Sequence, residues 1–432
     1  MSDTSELLAA AKEVLKANDR GLYTVPAGDL FPHQWLWDSC FIAIGQRHYD
    51  VERAKMEVLS LLRGQWSNGM VPHMIFARGR EFWHEQNVWR SWTSPFAPDK
   101  AKTSGITQPP MLAEAVVRVG EKLPLVERRS WYRQVWPNLL AYHEWLYRER
   151  DPHAEGLVLQ IHPWETGLDN TPPWMSELQN HLLPGWVRVF RATKLDAVVG
   201  LFRRDHKTHT RRLSNIEAMA LYDAQRRLRR KAYDINDILD HSLFAIEDLA
   251  FNCIFIRANQ HLLQIAKTLR ADMPADLLER ISLSQKVFEE LWDPYTEMYY
   301  PRDFVTHRLL KEPSVAALLP LYAGCVTQER AALLVRGLES EHIFGPPFPI
   351  PSVPLNSPWF DPTNYWQGPT WININWMIID GLERYGFKHH AAALRDIVLE
   401  LASEHGFHEY YNPQTGEGYG ANDFSWSAAL TI

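Results

Sequence analysis

The sequence predicts an all-α protein, with paired helices wound into a barrel and a site formed by the loops at one rim. Three observations point there. Apolar residues recur at helical spacing in close to a dozen segments, with few strand-like runs and no βαβ alternation. Long connections carrying Trp, Pro and polar residues alternate with these segments. No low-complexity linker divides the chain, so residues 1–432 are expected to form a single domain.

Taken in order, Ser5 to about Ala17 reads as a first helix, with Leu7, Leu8, Ala11, Val14 and Leu15 on one face. Residues 21–37 form a loop, and a second helix is expected from Asp38, which would cap it. Val51 to Leu62 is a third. Asn68-Gly69 marks a turn, followed by an extended stretch to Met74. Residues 79–107 are long, polar and rich in Trp (Trp83, Trp89, Trp92), the pattern of a lid loop. Another helix starts near Pro109, and Leu125 to Arg150 is a long one, with a kink expected at Pro137. Later helices are expected at 242–269, 276–292, 313–321, 328–338, 370–385 and 388–404.

Composition narrows the function. A net charge of −7 argues against nucleic acid as a partner, since such binding rests on phosphate neutralisation. Residues 200–232 are locally basic, including Arg203, Arg204, Lys207, Arg211, Arg212, Arg226, Arg227, Arg229, Arg230 and Lys231. A solvated face is the expectation there; an anionic partner or a homo-oligomer contact is the alternative. Three cysteines without a CxxC pair indicate neither a disulfide framework nor a zinc site. The acidic start is unlike a signal peptide and no apolar run reaches transmembrane length, so a cytoplasmic protein away from membranes is expected. The 18 Trp, 16 Tyr and 18 Phe suit either large cores or stacking on sugar rings.

Three rim segments carry candidate chemistry. The first runs from His162 to Trp174, with Glu165 and Asp169 four apart among three prolines, Gly167, Trp164 and Trp174. Prolines remove backbone donors and Gly167 admits unusual conformations, so this is a shaped loop rather than a helix. The two indoles supply an apolar setting that raises a carboxyl pKa, as a general acid requires. On this basis alone Glu165 and Asp169 are equal candidates. The second segment, Phe407 to Gly420, carries Glu409 among aromatics, with Glu417 in a more exposed turn. The third, Asn364 to Trp376, offers Tyr365, Trp366, Trp371 and Trp376 for ring stacking and amides for hydroxyl recognition. Its alternative is a helix start with Pro369 at the first position and buried indoles. No HExxH motif is present, so no metal is expected, and no cofactor motif is found. Two acids on separate loops amid tryptophans fit glycoside hydrolysis, with a small carbohydrate as substrate.

The same residues resemble glycoside hydrolase family 63, in particular its short bacterial branch acting on mannosylglycerate or glucosylglycerate. The resemblance is carried by Pro32-His33-Gln34-Trp35-Leu36-Trp37-Asp38, Asn68-Gly69-Met70-Val71-Pro72-His73 and Thr103 to Pro110. It continues in Trp164 to Asn170, Tyr365 to Trp371, and Glu409 to Pro413 with Thr415-Gly416. It implies an (α/α)6 barrel and an inverting α-glycosidase, with Asp169 as general acid and Glu409 as general base. It further implies that Trp37, Asp38, Gln108, Trp366 and Trp371 wall the glycone pocket, and that His73 and the lid meet the aglycone. Glu165 then becomes a support for its loop or a second sugar contact, beside Trp164 and Gly167. The chain departs from the family pattern at Gln367, where Arg is common, and at Thr171-Pro172-Pro173-Trp174, where Ser-Pro-Arg-Trp is common. Two other readings keep parts of this pattern. A sugar epimerase would use His73, His162 or His408, and a non-catalytic binding protein would keep only the tryptophans.

Overall fold

The connections between helices fall into two classes, and this decides where a site can form. The computed structural model describes residues 4–28, 30–180, 183–192, 214–240, 242 and 244–432. Among them, twelve helices build the scaffold. In chain order they are α1 (Thr4–Ala17), α2 (Leu36–Gln46), α3 (Val51–Leu62), α4 (Leu112–Glu121), α5 (Leu125–Arg150) and α6 (Leu249–Leu269). They continue with α7 (Ala275–Val287), α8 (Pro320–Ala323), α9 (Gln328–Glu339), α10 (Ile372–Arg384), α11 (Lys388–His405) and α12 (Ser425–Thr431). The even-numbered helices form an inner ring: α2 packs on α4, α4 on α6, α6 on α8, α8 on α10, α10 on α12, and α12 back on α2. The odd-numbered helices pack outside, α3 on α2 and α4, α5 on α4 and α6, α11 on α10 and α12. This is a barrel of paired helices, as the apolar spacing predicts, and the (α/α)6 form that the resemblance implies.

Burial follows the two roles. Every residue of α2 is buried, as expected for a helix packed on all sides, whereas α11 buries only one stripe. The ring closes tightly because α2 and α12 meet backbone to backbone. A Cβ at Gly45 would lie 2.3 Å from the carbonyl oxygen of Ala429. Inside the ring, Glu114 on α4 is paired with Arg118 at 3.0 Å, and Asp380 on α10 joins Arg118 at 2.5 Å and Arg257 of α6 at 3.4 Å.

Inner helices pass to outer ones through the short segments 47–50, 122–124, 270–274, 324–327 and 385–387. The returns, 18–35, 63–111, 151–248, 288–319, 340–371 and 406–424, are long and reach the N-terminal ends of the inner helices. That rim carries the irregular structure, including small antiparallel pairs such as Gln34–Trp35 with Met74–Ile75 and Tyr410–Tyr411 with Gly418–Tyr419.

Several expectations need correction. The second helix begins at Leu36, where the short pairing of Gln34 and Trp35 ends, so Asp38 lies in its first turn and does not cap it. The helix expected from 242 begins at Leu249, capped by Asp248, because Ile246–Glu247 pairs with Arg302–Asp303. Segment 313–321 is a 3₁₀ turn, Val315–Leu318, followed by α8. Pro369 opens no helix; Trp371 precedes the first turn of α10. The 79–107 segment is not all loop: it contains a helix, Trp83–Trp89, and a 3₁₀ turn, Ser91–Thr93. Of the basic segment, Arg203, Arg204, Lys207, Arg211 and Arg212 lie outside the described residues. Arg229 is a tie and not a solvated charge, donating to the carbonyls of Asn87 and Val88 at 3.2 and 3.0 Å.

Candidate active site

A cavity of about 450 Å³ opens at the rim where the inner helices begin. Trp37 and Asp38 enter it from the first turn of α2, and Gln108 from the segment leading to α4. Gly167 and Asp169 come from the connection to α6, Tyr365 and Trp366 from that to α10, and Glu409 from that to α12. The converging helix N-termini place partial positive charge at this end, which suits anionic groups.

The loop that carries Asp169 is shaped by partners distant in sequence. Glu165 is fully buried and held at both oxygens. It accepts from Arg150 Nη2 at 2.8 Å, from the Thr107 N–H at 3.2 Å and from the Ile161 N–H at 2.8 Å. Glu165 therefore does not line the cavity; it supports the loop. Gly167 has φ +76°, and a Cβ there would sit 2.8 Å from Cη2 of Trp37. Asn170 latches the loop to the neighbouring rim segment: its side-chain oxygen accepts the Trp366 N–H at 2.8 Å, and its carbonyl accepts from Gln367 Nε2 at 2.8 Å. Gln367 is thus committed to scaffold contacts. A helix, Pro172–Asn180, starts three residues beyond Asp169, its first turn accepting prolines that have no N–H to lose.

Four carboxyl groups line the cavity: Asp38, Asp169 and Glu409, and, on the 79–107 segment, Glu85, whose Oε2 lies 2.5 Å from His33 Nε2. Asp38 feels the charges of both Glu409 and Asp169, and burial together with that repulsion raises its pKa well above the usual carboxylate range. Tyr365, which adopts a left-handed backbone with φ +48°, places its hydroxyl 3.5 Å from Asp169 Oδ2. Glu409 is buried, and its Oε2 accepts the Ala421 N–H at 3.0 Å, while its own N–H donates to the Ala421 carbonyl at 2.9 Å. The geometry unites one carboxyl beside a hydroxyl donor, one anchored by backbone, and a third held toward its neutral form. Such a set can both give and take a proton within one cavity.

The walls are aromatic. Trp366 faces the cavity and stacks on Trp371 behind it, with centroids 3.7 Å apart and planes 3° from parallel. Trp37 lies edge-on to Trp426 at 5.5 Å. Trp371, expected in the wall, and Trp376, expected as a stacking residue, do not line the cavity; Trp376 meets Phe41 and the Arg118 guanidinium. Gln108 accepts the Trp37 N–H at 3.5 Å. On another side His73 and Trp164 line the cavity, with Trp89 of the 79–107 segment between them.

Histidine chemistry finds little support here. His73 bonds Ser104 Oγ at 2.8 Å and burial pushes its pKa down to about 3. His162, lowered to about 4 by burial, and His408 do not line the cavity. Sequence reasoning missed Trp35, Glu85, Gln225, Phe424 and Trp426 as lining residues. Trp35 lies within the Pro32–Asp38 motif, and Glu85 within the lid segment. Nothing in the local sequence marks Gln225, Phe424 or Trp426.

Comparison with known proteins places this geometry. The model of the mannosylglycerate hydrolase MGH1-like glycoside hydrolase domain matches residues 31–427. The chain is 41% identical to mannosylglycerate hydrolase of Thermus thermophilus, over 98% of this chain and 99% of that one. It is 32% identical to glucosylglycerate hydrolase of Mycolicibacterium hassiacum, over 99% and 97%. The crystal structure of a family 63 mannosylglycerate hydrolase from Thermus thermophilus, in complex with Tris and D-glycerate, superposes with a TM-score of 0.86. That pair is 38% identical over 98% of each chain.

Proposed function

We propose a substrate and a mechanism from one premise: this chain belongs to the mannosylglycerate hydrolase MGH1-like glycoside hydrolases of family 63, and is a glycosidase. Its substrate is a small α-glycoside of glycerate, glucosylglycerate or mannosylglycerate, cleaved by water with inversion. The observation that carries this reading is the meeting of Asp169 and Glu409, from two separate connections, in one cavity walled by indoles.

In the first step protonated Asp169 gives its proton to the glycosidic oxygen as the bond to the anomeric carbon breaks. Glu409 takes a proton from a water that attacks the opposite face of that carbon. Glycerate leaves and a β-sugar forms. Asp169 ends as the carboxylate and Glu409 as the acid, and exchange with solvent restores both. The mechanism calls for carboxyl groups about 6.5–9.5 Å apart, to leave room for the water. The tyrosine hydroxyl beside Asp169 supports its role by orienting the carboxyl. Asp38, kept toward its neutral form, and Gln108 bond sugar hydroxyls, while Trp37 and Trp366 stack on the ring. Trp371 acts through Trp366. His73 and the 79–107 lid meet glycerate.

Among the described residues no helix is long and apolar enough to cross a membrane. A cytoplasmic location is part of the proposal and agrees with three cysteines that are all free. The reading is tested by incubating the protein with glucosylglycerate, mannosylglycerate, glucosylglycerol and short α-glucosides. Release of sugar from a glycerate glycoside at the highest kcat/KM supports it. Turnover confined to the short α-glucosides overturns the glycerate assignment.

A further inference from the structure

The cavity wall contains an amide that the mechanism does not use. Gln225 lies on the helix Asn215–Arg230, is 2% exposed and lines the cavity. Its Nε2 is buried and has no hydrogen-bond partner among the described residues. An orphaned buried donor is costly, and native structures rarely leave one without a purpose. Contacts one turn to either side fix where it sits. The Leu221 carbonyl lies 3.4 Å from His162 Nε2, and Arg229 holds the carbonyls of Asn87 and Val88. Gln225 therefore stands beside the lid helix, on the His73, Trp89 and Trp164 side. A second orphaned donor, the indole Nε1 of Trp35, belongs to the ring packed edge-on against His73 at 4.8 Å. Among the described residues, no Lys or Arg lines the cavity.

We infer that Gln225 is a specificity-determining residue that donates its amide N–H to the carboxylate of the leaving group, with Trp35 as the companion donor. The inference rests on the functional reading above and deepens it. A carboxylate only accepts, so it satisfies orphaned donors and gains from neutral N–H groups without a cation. The carboxylate on that side, Glu85, is engaged by His33 Nε2 at 2.5 Å.

The test compares two substrates with the same sugar, one bearing glycerate and one bearing glycerol. Gln225→Glu keeps the length of the side chain and adds a negative charge. It should lower kcat/KM on the glycerate glycoside about tenfold or more, through KM, and change the glycerol glycoside about twofold or less. Gln225→Met, which keeps the length without the amide, should show the same preference at smaller size, and it carries the test if Gln225→Glu does not fold. Equal losses on both substrates, or no loss on either, overturn the inference while leaving the functional reading intact. Wild-type protein that cleaves neither glucosylglycerate nor mannosylglycerate overturns both.

Discussion

The side-chain oxygen of Asn170 accepts the backbone N–H of Trp366 at 2.8 Å, so the loop bearing Asp169 and the loop bearing the cavity's stacked indole are held as one piece. Asn170→Ala leaves that N–H buried without an acceptor, at a cost of about 1–3 kcal/mol. It should lower the melting temperature and also reduce kcat about 10- to 100-fold, because Asp169 is the preceding residue. Asn170→Asp, which keeps an acceptor, should recover most of the stability. Melting curves and steady-state kinetics on the same samples check both parts.

Gly167 meets Trp37 with no room for a methyl group and with φ +76°. Gly167→Ala should cost about 1–3 kcal/mol through backbone strain, and it should raise KM by displacing the Trp37 ring. A variant with wild-type stability and KM would show that the loop is more yielding than its packing implies.

Trp371 does not line the cavity but supports Trp366 across a 3.7 Å stack. Such a pair contributes about 0.5–1.5 kcal/mol beyond burial. Trp371→Leu should weaken the binding of free glucose or mannose, measured calorimetrically, and Trp366→Leu should weaken it more. Loss in the Trp371 variant alone would reverse the assigned order of the two rings.

Asp248 caps α6, accepting the Phe251 N–H at 2.8 Å, and burial raises its pKa to about 7. A carboxyl whose folded pKa is raised stabilises the fold fully below its unfolded value near 4, and that contribution is lost as pH rises through 7. Asp248→Asn keeps a good cap and removes the titration. The variant's stability relative to wild type should therefore climb between about pH 4 and 7, by about 1.4 kcal/mol for each pH unit, and level off above. Denaturant titrations across that range measure it, and a flat difference would mean that Asp248 is charged throughout.

The helical repeat and the long rim connections are legible from apolar spacing, because the barrel's outer helices each bury one stripe; that short connections alternate with the long ones shows only in the structure. The exact start of α2 is not, since a short strand pairing and not a capping side chain begins the helix ahead of Asp38. Glu165 and Asp169 look alike locally. They differ because Arg150 and Thr107, far away in the chain, consume the first carboxyl. The rim aromatics cannot be sorted into wall and backing from sequence, since Trp366 and Trp371 are both buried and differ only in which faces the cavity. Gln225 is hidden in a basic stretch whose charges dominate the local pattern, and its meaning depends on a missing partner that only packing reveals.

The proposed pairing of Asp169 as acid with Glu409 as base calls for inversion at the anomeric carbon, so the most direct measurement is proton NMR of the sugar released during the first minutes of hydrolysis. The β-anomer should appear first and then relax toward the equilibrium mixture, and Asp169→Asn and Glu409→Gln, both folded, should release no sugar. Initial appearance of the α-anomer would contradict the assignment, because it requires one of these carboxylates to attack the sugar directly.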